Sequence, residues 1–163
     1  MSWMPAWRAE KAPFAKAARL GDGARLYGGR WNSPGRPAIY CAGSLSLALL
    51  EILAHVQTEE DAGVRRVYFQ LEIDERAVET VPSSELPKTW RSALNVDPCR
   101  KAGDAWLSRG SPVVLQVPSA IVPTENNLII NPLHPRFGKA VRWSNAKPFR
   151  LDARLLENIA DGR

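Results

Sequence analysis

The clearest hydrophobic pattern in the chain runs from Ser44 to Gln57, where apolar residues recur at helical spacing. Ser44 stands directly before this run and predicts an N-cap. Apolar residues also cover the opposite side of the predicted helix, and a helix that is apolar almost all round is expected to be buried. Its single acidic residue, Glu51, is therefore conspicuous. The main apolar stripe consists of Leu45, Ala48, Leu49, Ile52, Leu53 and Val56.

A period of two replaces the helical period in the segment that follows. Between residues 64 and 74, Val67, Phe69, Leu71 and Ile73 alternate with polar or amphipathic residues, which predicts a half-buried strand. Apolar runs bounded by turn residues predict three further strands. These lie at residues 112–118, 126–131 and 147–152.

Two further helices are predicted in the second half of the chain. Asp97 followed by Pro98 is typical of an N-cap and a first-turn proline, and opens a helix that extends to Trp106. Residues 153–160 predict a short closing helix with one apolar face. Strands and helices follow one another without a regular βαβ alternation, which indicates an α+β fold.

Composition places the chain among ordinary soluble domains. With 163 residues, of which 45% are hydrophobic and 24% charged, residues 1–163 are expected to form one domain. The opening residues lack the apolar segment of a secretion signal, so we expect a cytoplasmic protein. Cys41 and Cys99 are far apart and outside any metal-binding motif, which favours neither a disulfide framework nor a metal site.

The charges are segregated along the chain. Basic residues dominate before Arg36 and after His134, and acidic residues dominate from Glu51 to Glu85, with a net charge of +5. This pattern predicts a basic and an acidic side. Because no motif of a nucleic-acid-binding fold is present, an anionic small molecule or an acidic protein is the expected partner, rather than nucleic acid or a membrane.

Two positions call for a chemical explanation. A carboxylate on a buried helix is costly unless it is paired or faces a cavity, so Glu51 either bonds to His55 one turn later or lines a cleft. The loop "YGGRWNSPG", residues 27–35, offers Arg30 beside two glycines. Arg30 either stacks on Trp31 or donates to a phosphate or ribose that approaches the glycine backbone. Tyr40, taken alone, is typical of a core or edge aromatic residue in a strand.

Four motifs together resemble a known family. "GGRWNSPG", "AIYCAGSLSLALLE", "VPSA" and "NNLIINPLHPRF" are similar in order and spacing to the RES-domain family, the toxin halves of bacterial toxin–antitoxin pairs with an Xre-type antitoxin. The resemblance covers roughly Trp7 to Arg150. The sequence departs from the family pattern at Cys41, where a small residue or threonine is expected. The segment containing Trp3 and Trp7 lies outside the secure part of the resemblance.

The resemblance implies an ADP-ribosyltransferase-like fold, with a compact pair of facing sheets, flanking helices and a cleft that binds NAD as substrate. Members of the family cleave the bond between nicotinamide and ribose and pass ADP-ribose to a protein, water or phosphate. The implied catalytic residues are Arg30, Tyr40 and Glu51, and no metal is required. The implied NAD-binding residues are Gly29, Arg30, Trp31, Asn32, Tyr40, Ser119, Asn131 and His134.

The implied chemistry suits these residue types. Loss of nicotinamide passes through an oxocarbenium-like cation that a carboxylate such as Glu51 stabilises. Tyr40 would face the nicotinamide ring, and Arg30 would engage ribose or pyrophosphate while its charge orients Glu51. An antitoxin would act by occluding this cleft. The alternative is a non-catalytic module that uses the cleft only to dock a protein or nucleic acid.

Overall fold

One curled β-sheet organises the chain in the computed structural model, which describes residues 1–157. The strand order is β4-β5-β6-β2-β1-β3-β7, β8 pairs with β3 beside β7, and only β4 and β5 run parallel. The strands of the described residues are β1 (Trp3–Lys11), β2 (Ile39–Ala42), β3 (Arg66–Asp74), β4 (Val78–Thr80), β5 (Val114–Pro118), β6 (Asn126–Ile130), β7 (Val141–Trp143) and β8 (Lys147–Phe149).

Helices flank this sheet, and the predicted α+β class is confirmed. The α-helices are α1 (Asp22–Tyr27), α2 (Leu45–His55), α3 (Glu59–Gly63), α4 (Asp97–Arg109) and α5 (Phe137–Ala140). Short 3-10 turns cover Ala12–Ala17, Glu75–Ala77, Ser83–Glu85 and Ala153–Leu155. None of the helices in residues 1–157 combines the length and the apolar character needed to cross a membrane.

The sheet is nearly split between β1 and β2. β1 pairs with β3 along its whole length, from Trp3 opposite Asp74 to Lys11 opposite Arg66. It meets β2 at the single pair of Trp7 and Ala42. The two expected facing sheets are therefore the two halves of one continuous sheet. A cleft opens where β1 and β2 diverge.

The two faces of the sheet bury separate cores. One is aliphatic and contains Ile39, Leu71 and Leu128, all with no exposed surface. The other is rich in tryptophan, because Trp31, Trp90 and Trp106 pack on Leu115 and Ile129. Helix α4 contributes Trp106 to this second core, and the loop before β2 contributes Trp31, so the core ties that loop to the sheet.

Helix α2 has the predicted N-cap, but it ends two residues before Gln57 and lacks the predicted burial. It begins after Ser44, whose Oγ accepts a hydrogen bond of 3.1 Å from the amide of Leu47, and ends at His55. Only Leu47 and Ala48 within it are buried, and Leu50 is 40% exposed. The prediction of a fully buried helix was therefore wrong. One side of α2 packs on the sheet and the other is open.

The other predicted elements are present with local differences, whereas β1, β4 and β7 and the short helices α1, α3 and α5 were not predicted. β3, β5 and β6 lie within their predicted segments, whereas the last predicted strand ends early, at Phe149. Helix α4 extends beyond Trp106 to Arg109, and Asp97 is its first residue while Val96 occupies the N-cap without a side-chain bond. The predicted closing helix at 153–160 begins as a 3-10 turn, and its part from residue 158 lies outside the described residues.

Candidate active site

A cleft with a volume of about 1030 Å³ lies between β1 and β2. Its lining residues come from β1, β2, β6 and α2 and from the segments 28–31 and 91–100. Its lining contains six basic residues, Arg8, Lys11, Arg30, Arg66, Arg91 and Arg100, and three acidic ones, Glu10, Glu51 and Asp61. The excess of positive charge favours an anionic ligand.

Glu51 projects from α2 into this cleft and is half-buried. Its Oε1 accepts hydrogen bonds from Nδ2 of Asn127 at 2.7 Å and from Oγ of Ser119 at 3.2 Å. None of the side-chain hydrogen bonds found in residues 1–157 uses Oε2. His55 bonds to the backbone carbonyl of Glu51 at 2.7 Å, so the alternative of a Glu51–His55 side-chain pair is excluded. One carboxylate oxygen is fixed and the other is available.

Ser119 lies behind Glu51 rather than on the surface of the cleft. It is completely buried, and its Oγ accepts hydrogen bonds from the amides of Ile121 and Val122, each at 3.1 Å. Because both of these are donors, the hydroxyl proton is directed to Glu51. Ser119 thus links the turn after β5 to the carboxylate.

Tyr40 lines the cleft from β2, but its hydroxyl is engaged in the loop before the strand. The hydroxyl donates to Oδ1 of Asn32 at 2.7 Å and accepts from the amide of Trp31 at 3.0 Å. Burial raises the pKa of Tyr40 well above its usual range, so the hydroxyl remains protonated and acts as this donor. The aromatic ring is the part of Tyr40 that a ligand can meet.

Asn32 and Trp31 support the site from within the protein. Asn32 is fully buried, and its Nδ2 donates to the carbonyls of Ala24, Ser33 and Arg36 at 2.9, 3.1 and 3.0 Å. Trp31 touches the cleft but is only 2% exposed. Asn32 is not part of the cleft lining, and its predicted role in binding NAD stays a prediction. Its side chain holds the loop and Tyr40 in position.

Arg30 lines the cleft, yet its guanidinium holds the opposite loop. Nη1 donates to the carbonyls of Trp90 and Ser92 at 2.9 and 3.1 Å. None of the cation–ring contacts in the described part of the chain involves Arg30, so stacking on Trp31 is excluded. Among the contacts of residues 1–157, Arg30 forms no hydrogen bond or ion pair with Glu51, so the expected direct orientation of Glu51 by Arg30 is not observed.

Arg8 and Arg100 are two of the four other arginines in the cleft lining, none of which the sequence motifs singled out. Arg8 on β1 donates to the carbonyl of Tyr40 at 3.0 Å and forms an ion pair of 2.7 Å with Glu10. Its buried Nε has no hydrogen-bond partner within residues 1–157. Arg100 on α4 donates to the carbonyl of Gly29 at 2.8 Å. Neither lies in a motif, and only the pairing of β1 with β2 and the docking of α4 bring them to the cleft.

Asn131 and His134 do not line the cleft. Asn131 follows β6, and its Oδ1 accepts a 3.0 Å hydrogen bond from the amide of Leu133. His134 lies in the same turn, where Nδ1 accepts from the amide of Arg136 at 3.0 Å. Four strand positions separate Asn131 from Asn127, about 13 Å along the strand. The expectation that both residues close the NAD site is not supported by this placement, because their side chains stabilise the turn.

The two cysteines lie at or near the cleft, since Cys41 is part of its lining and the thiol of Cys99 contacts the Trp90 carbonyl that also accepts from Arg30. Both are free and buried, and burial raises the pKa of the Cys41 thiol to about 12. Among the described residues no group of three or more His, Cys, Asp or Glu side chains is arranged to hold a metal ion.

The comparisons with known proteins agree with the motifs. The family model of the RES domain matches residues 5–152. The chain belongs to the RES domain family. The predicted resemblance to this family is thus confirmed, and it extends to the segment around Trp7, which the motifs alone leave outside its secure part.

Several relatives of this RES protein are toxins. It is 36% identical over 151 residues to "Toxin Res" of Photorhabdus laumondii, covering 93% of this chain and 96% of that one. It is 40% identical over 135 residues to "Toxin Res" of Yersinia enterocolitica, covering 83% and 88%. It is 31% identical over 139 residues to the "Prs ADP-ribosylating toxin" of a Sphingobium species, covering 83% and 85%.

A solved structure shares the fold. The RES protein is similar to a chain of the MbcT–MbcA toxin–antitoxin complex of M. tuberculosis, with a TM-score of 0.76 and 21% identity. The match covers 98% of this chain and 90% of that chain. The expected fold is therefore the one observed, and the chain is a RES toxin homologue.

Proposed function

We propose that this RES protein is an intracellular toxin that cleaves NAD between nicotinamide and ribose and transfers ADP-ribose to an acceptor. The observation that carries the proposal is Glu51, whose carboxylate stands in a basic cleft with Oε1 fixed by Asn127 and Ser119. A carboxylate with one fixed and one available oxygen suits the stabilisation of a cation that forms beside it.

The charge and size of the cleft are consistent with a dinucleotide. Its volume of about 1030 Å³ is at the upper end of the range of about 300–1,000 Å³ found for small-molecule sites. Arg8 and Arg100 line it with guanidinium groups, which match the geometry of phosphate oxygens. We assign the pyrophosphate of NAD to this basic lining.

The nicotinamide end belongs near Tyr40 and Gly29. The Tyr40 ring is held by the bonds of its hydroxyl to Asn32 and Trp31, so it offers a fixed aromatic face. Gly29 lies against this ring, where a Cβ would overlap the Tyr40 hydroxyl. The glycine therefore allows the loop to approach Tyr40 closely and keeps one edge of the cleft narrow.

The chemistry then centres on Glu51. The C–N bond between ribose and nicotinamide breaks, its electron pair leaves with nicotinamide, and positive charge develops on the ribosyl carbon. The available oxygen of Glu51 stabilises this charge or accepts the proton of the attacking nucleophile. A bond from the acceptor oxygen or nitrogen to the same carbon completes the transfer. Protein side chains, water and phosphate are the acceptor classes that this scheme admits.

An antitoxin partner completes the proposal. The solved neighbour was crystallised as a toxin–antitoxin complex, which supports a protein partner of the antitoxin class for this chain. We propose an Xre-type antitoxin that occludes the cleft and so prevents NAD from reaching Glu51. Such a toxin acts in the cytoplasm, where NAD and its acceptors are found.

The acceptor is identified by offering each class in turn. Purified protein is incubated with NAD labelled in the adenylate half, in buffer, with phosphate, or with bacterial extract. We expect nicotinamide release in at least one arm, with the label in ADP-ribose, in its 1-phosphate or on a protein, respectively. Absence of nicotinamide in every arm contradicts the proposal, and salt-sensitive capture of a protein or nucleic acid in its place favours a docking module.

A further inference from the structure

Asn127 occupies an unusual position for a polar side chain. It lies on β6, an interior strand, opposite Ala42 of β2 and Val117 of β5. Both of these neighbours are buried, with 2% and 0% of their surface exposed. Asn127 itself is half-buried and lines the cleft, and the part of its amide that is shielded from water needs a hydrogen-bond partner. Its amide should therefore be explained by the contact that it makes.

That contact is with Glu51. Nδ2 of Asn127 donates to Oε1 of Glu51 at 2.7 Å, a shorter bond than the 3.2 Å bond from Ser119 to the same oxygen. A carboxylate only accepts hydrogen bonds, so the NH2 end of the amide must face it. This orientation is therefore fixed by the charge of Glu51.

The same orientation leaves the other end of the amide unsatisfied. Oδ1 of Asn127 is buried and has no hydrogen-bond partner within residues 1–157. Burying an unpaired carbonyl is unfavourable, and an apolar side chain of the same size would avoid that cost. The asparagine is therefore not explained by stability alone, and costs of this kind concentrate at functional sites.

We propose that Asn127 is a positioning residue for Glu51, a role that rests on the proposed function of the cleft. Its NH2 group fixes Oε1 and the plane of the carboxylate, so that Oε2 is presented to the ribosyl carbon. Asn127 acts through Glu51 and makes no contribution that survives the loss of the carboxylate.

The matched set of proteins is wild type, Asn127→Leu, Glu51→Gln and the double variant, with Asn126→Leu as control. Asn126 is the preceding strand residue, exposed and on the opposite face. Asn127→Leu should lower kcat for nicotinamide release about 10- to 100-fold, because a misplaced catalytic group loses this much, and leave KM within about twofold. It should lower kcat no further in the Glu51→Gln background. Asn126→Leu should match wild type.

Denaturant unfolding of the same proteins supplies a readout that needs no turnover. The effects of Asn127→Leu and Glu51→Gln on the free energy of unfolding should be non-additive, because the two side chains share a hydrogen bond. Additive effects on both kcat and unfolding overturn the role of Asn127, even when wild-type protein cleaves NAD. Wild-type protein that releases no nicotinamide overturns the proposed function, and the unfolding cycle then still decides whether Asn127 holds Glu51.

Discussion

Hydrogen bonds fix the orientation of the individual side chains at the cleft. Tyr40 shows this most clearly, because its hydroxyl bonds both to Asn32 and to the amide of Trp31 and its ring is left for the cleft. Sequence motifs located Tyr40, Glu51 and Ser119 at the cleft or directly behind it. They did not separate residues that meet a ligand from residues that support them, since that distinction depends on what each polar atom bonds to.

The variant Tyr40→Phe separates the structural role of the Tyr40 hydroxyl from the role of its ring in the cleft. Loss of the hydroxyl leaves the buried Oδ1 of Asn32 without its donor, so the free energy of unfolding should fall by about 1–3 kcal/mol. Nicotinamide release should fall by less than about tenfold, since a phenyl ring still faces the cleft. Urea unfolding and initial rates check the two parts. A variant of wild-type stability that has lost all activity would assign the hydroxyl to the chemistry instead.

Whole elements are placed by a few close contacts. Helix α4 approaches the loop before β2 at Gly103, where a Cβ would overlap the carbonyl oxygen of Trp31. Asp104 of the same helix accepts hydrogen bonds from Oγ and the amide of Ser33, at 2.5 and 2.9 Å. These contacts explain how the loop 27–35 holds its shape. The periodicity of α4 predicted the helix, but it carried no information about this docking.

Strand β1 was not recognisable from local sequence patterns. It was not predicted, because "WMPAWRAEK" lacks a clear alternation, and its place beside β3 is fixed by pairing distant in sequence. The cleft exists because β1 leaves β2 after one residue pair. Local patterns therefore predicted β3, β5, β6 and β8 and the helices α2 and α4, whereas the cleft and its residues Arg8 and Arg100 required the long-range pairing.

The contact at Gly103 predicts a large effect of a small change. Gly103→Ala should destabilise the protein by about 1–3 kcal/mol, the usual cost of overpacking, because backbone atoms must move. Gly23→Ala is the matched control, since Gly23 lies in α1 and a Cβ added there would have no atom within 4 Å. It should be neutral or slightly stabilising. Equal melting temperatures for the two variants would contradict the tight docking of α4.

At the scale of the whole molecule, basic residues of the two terminal segments meet acidic residues of the middle segment in ion pairs. Lys11 of the basic N-terminal segment pairs with Asp61 at 2.6 Å, and Arg142 lies 3.8 Å from Glu72. The separation into a basic and an acidic side stays a prediction, which these two pairs do not test. The charge asymmetry that bears on ligand binding is local to the cleft, where basic lining residues outnumber acidic ones.

The central claim is that this cleft cleaves NAD by means of Glu51. The most direct test is the initial rate of nicotinamide release at saturating NAD for wild type and Glu51→Gln, with Glu59→Gln on the exposed side of α3 as control. Wild type and the control should release nicotinamide at equal rates, and Glu51→Gln should be slower by about 100-fold or more. A Glu51→Gln variant with the full wild-type rate, or a wild-type protein that releases none, would contradict the claim.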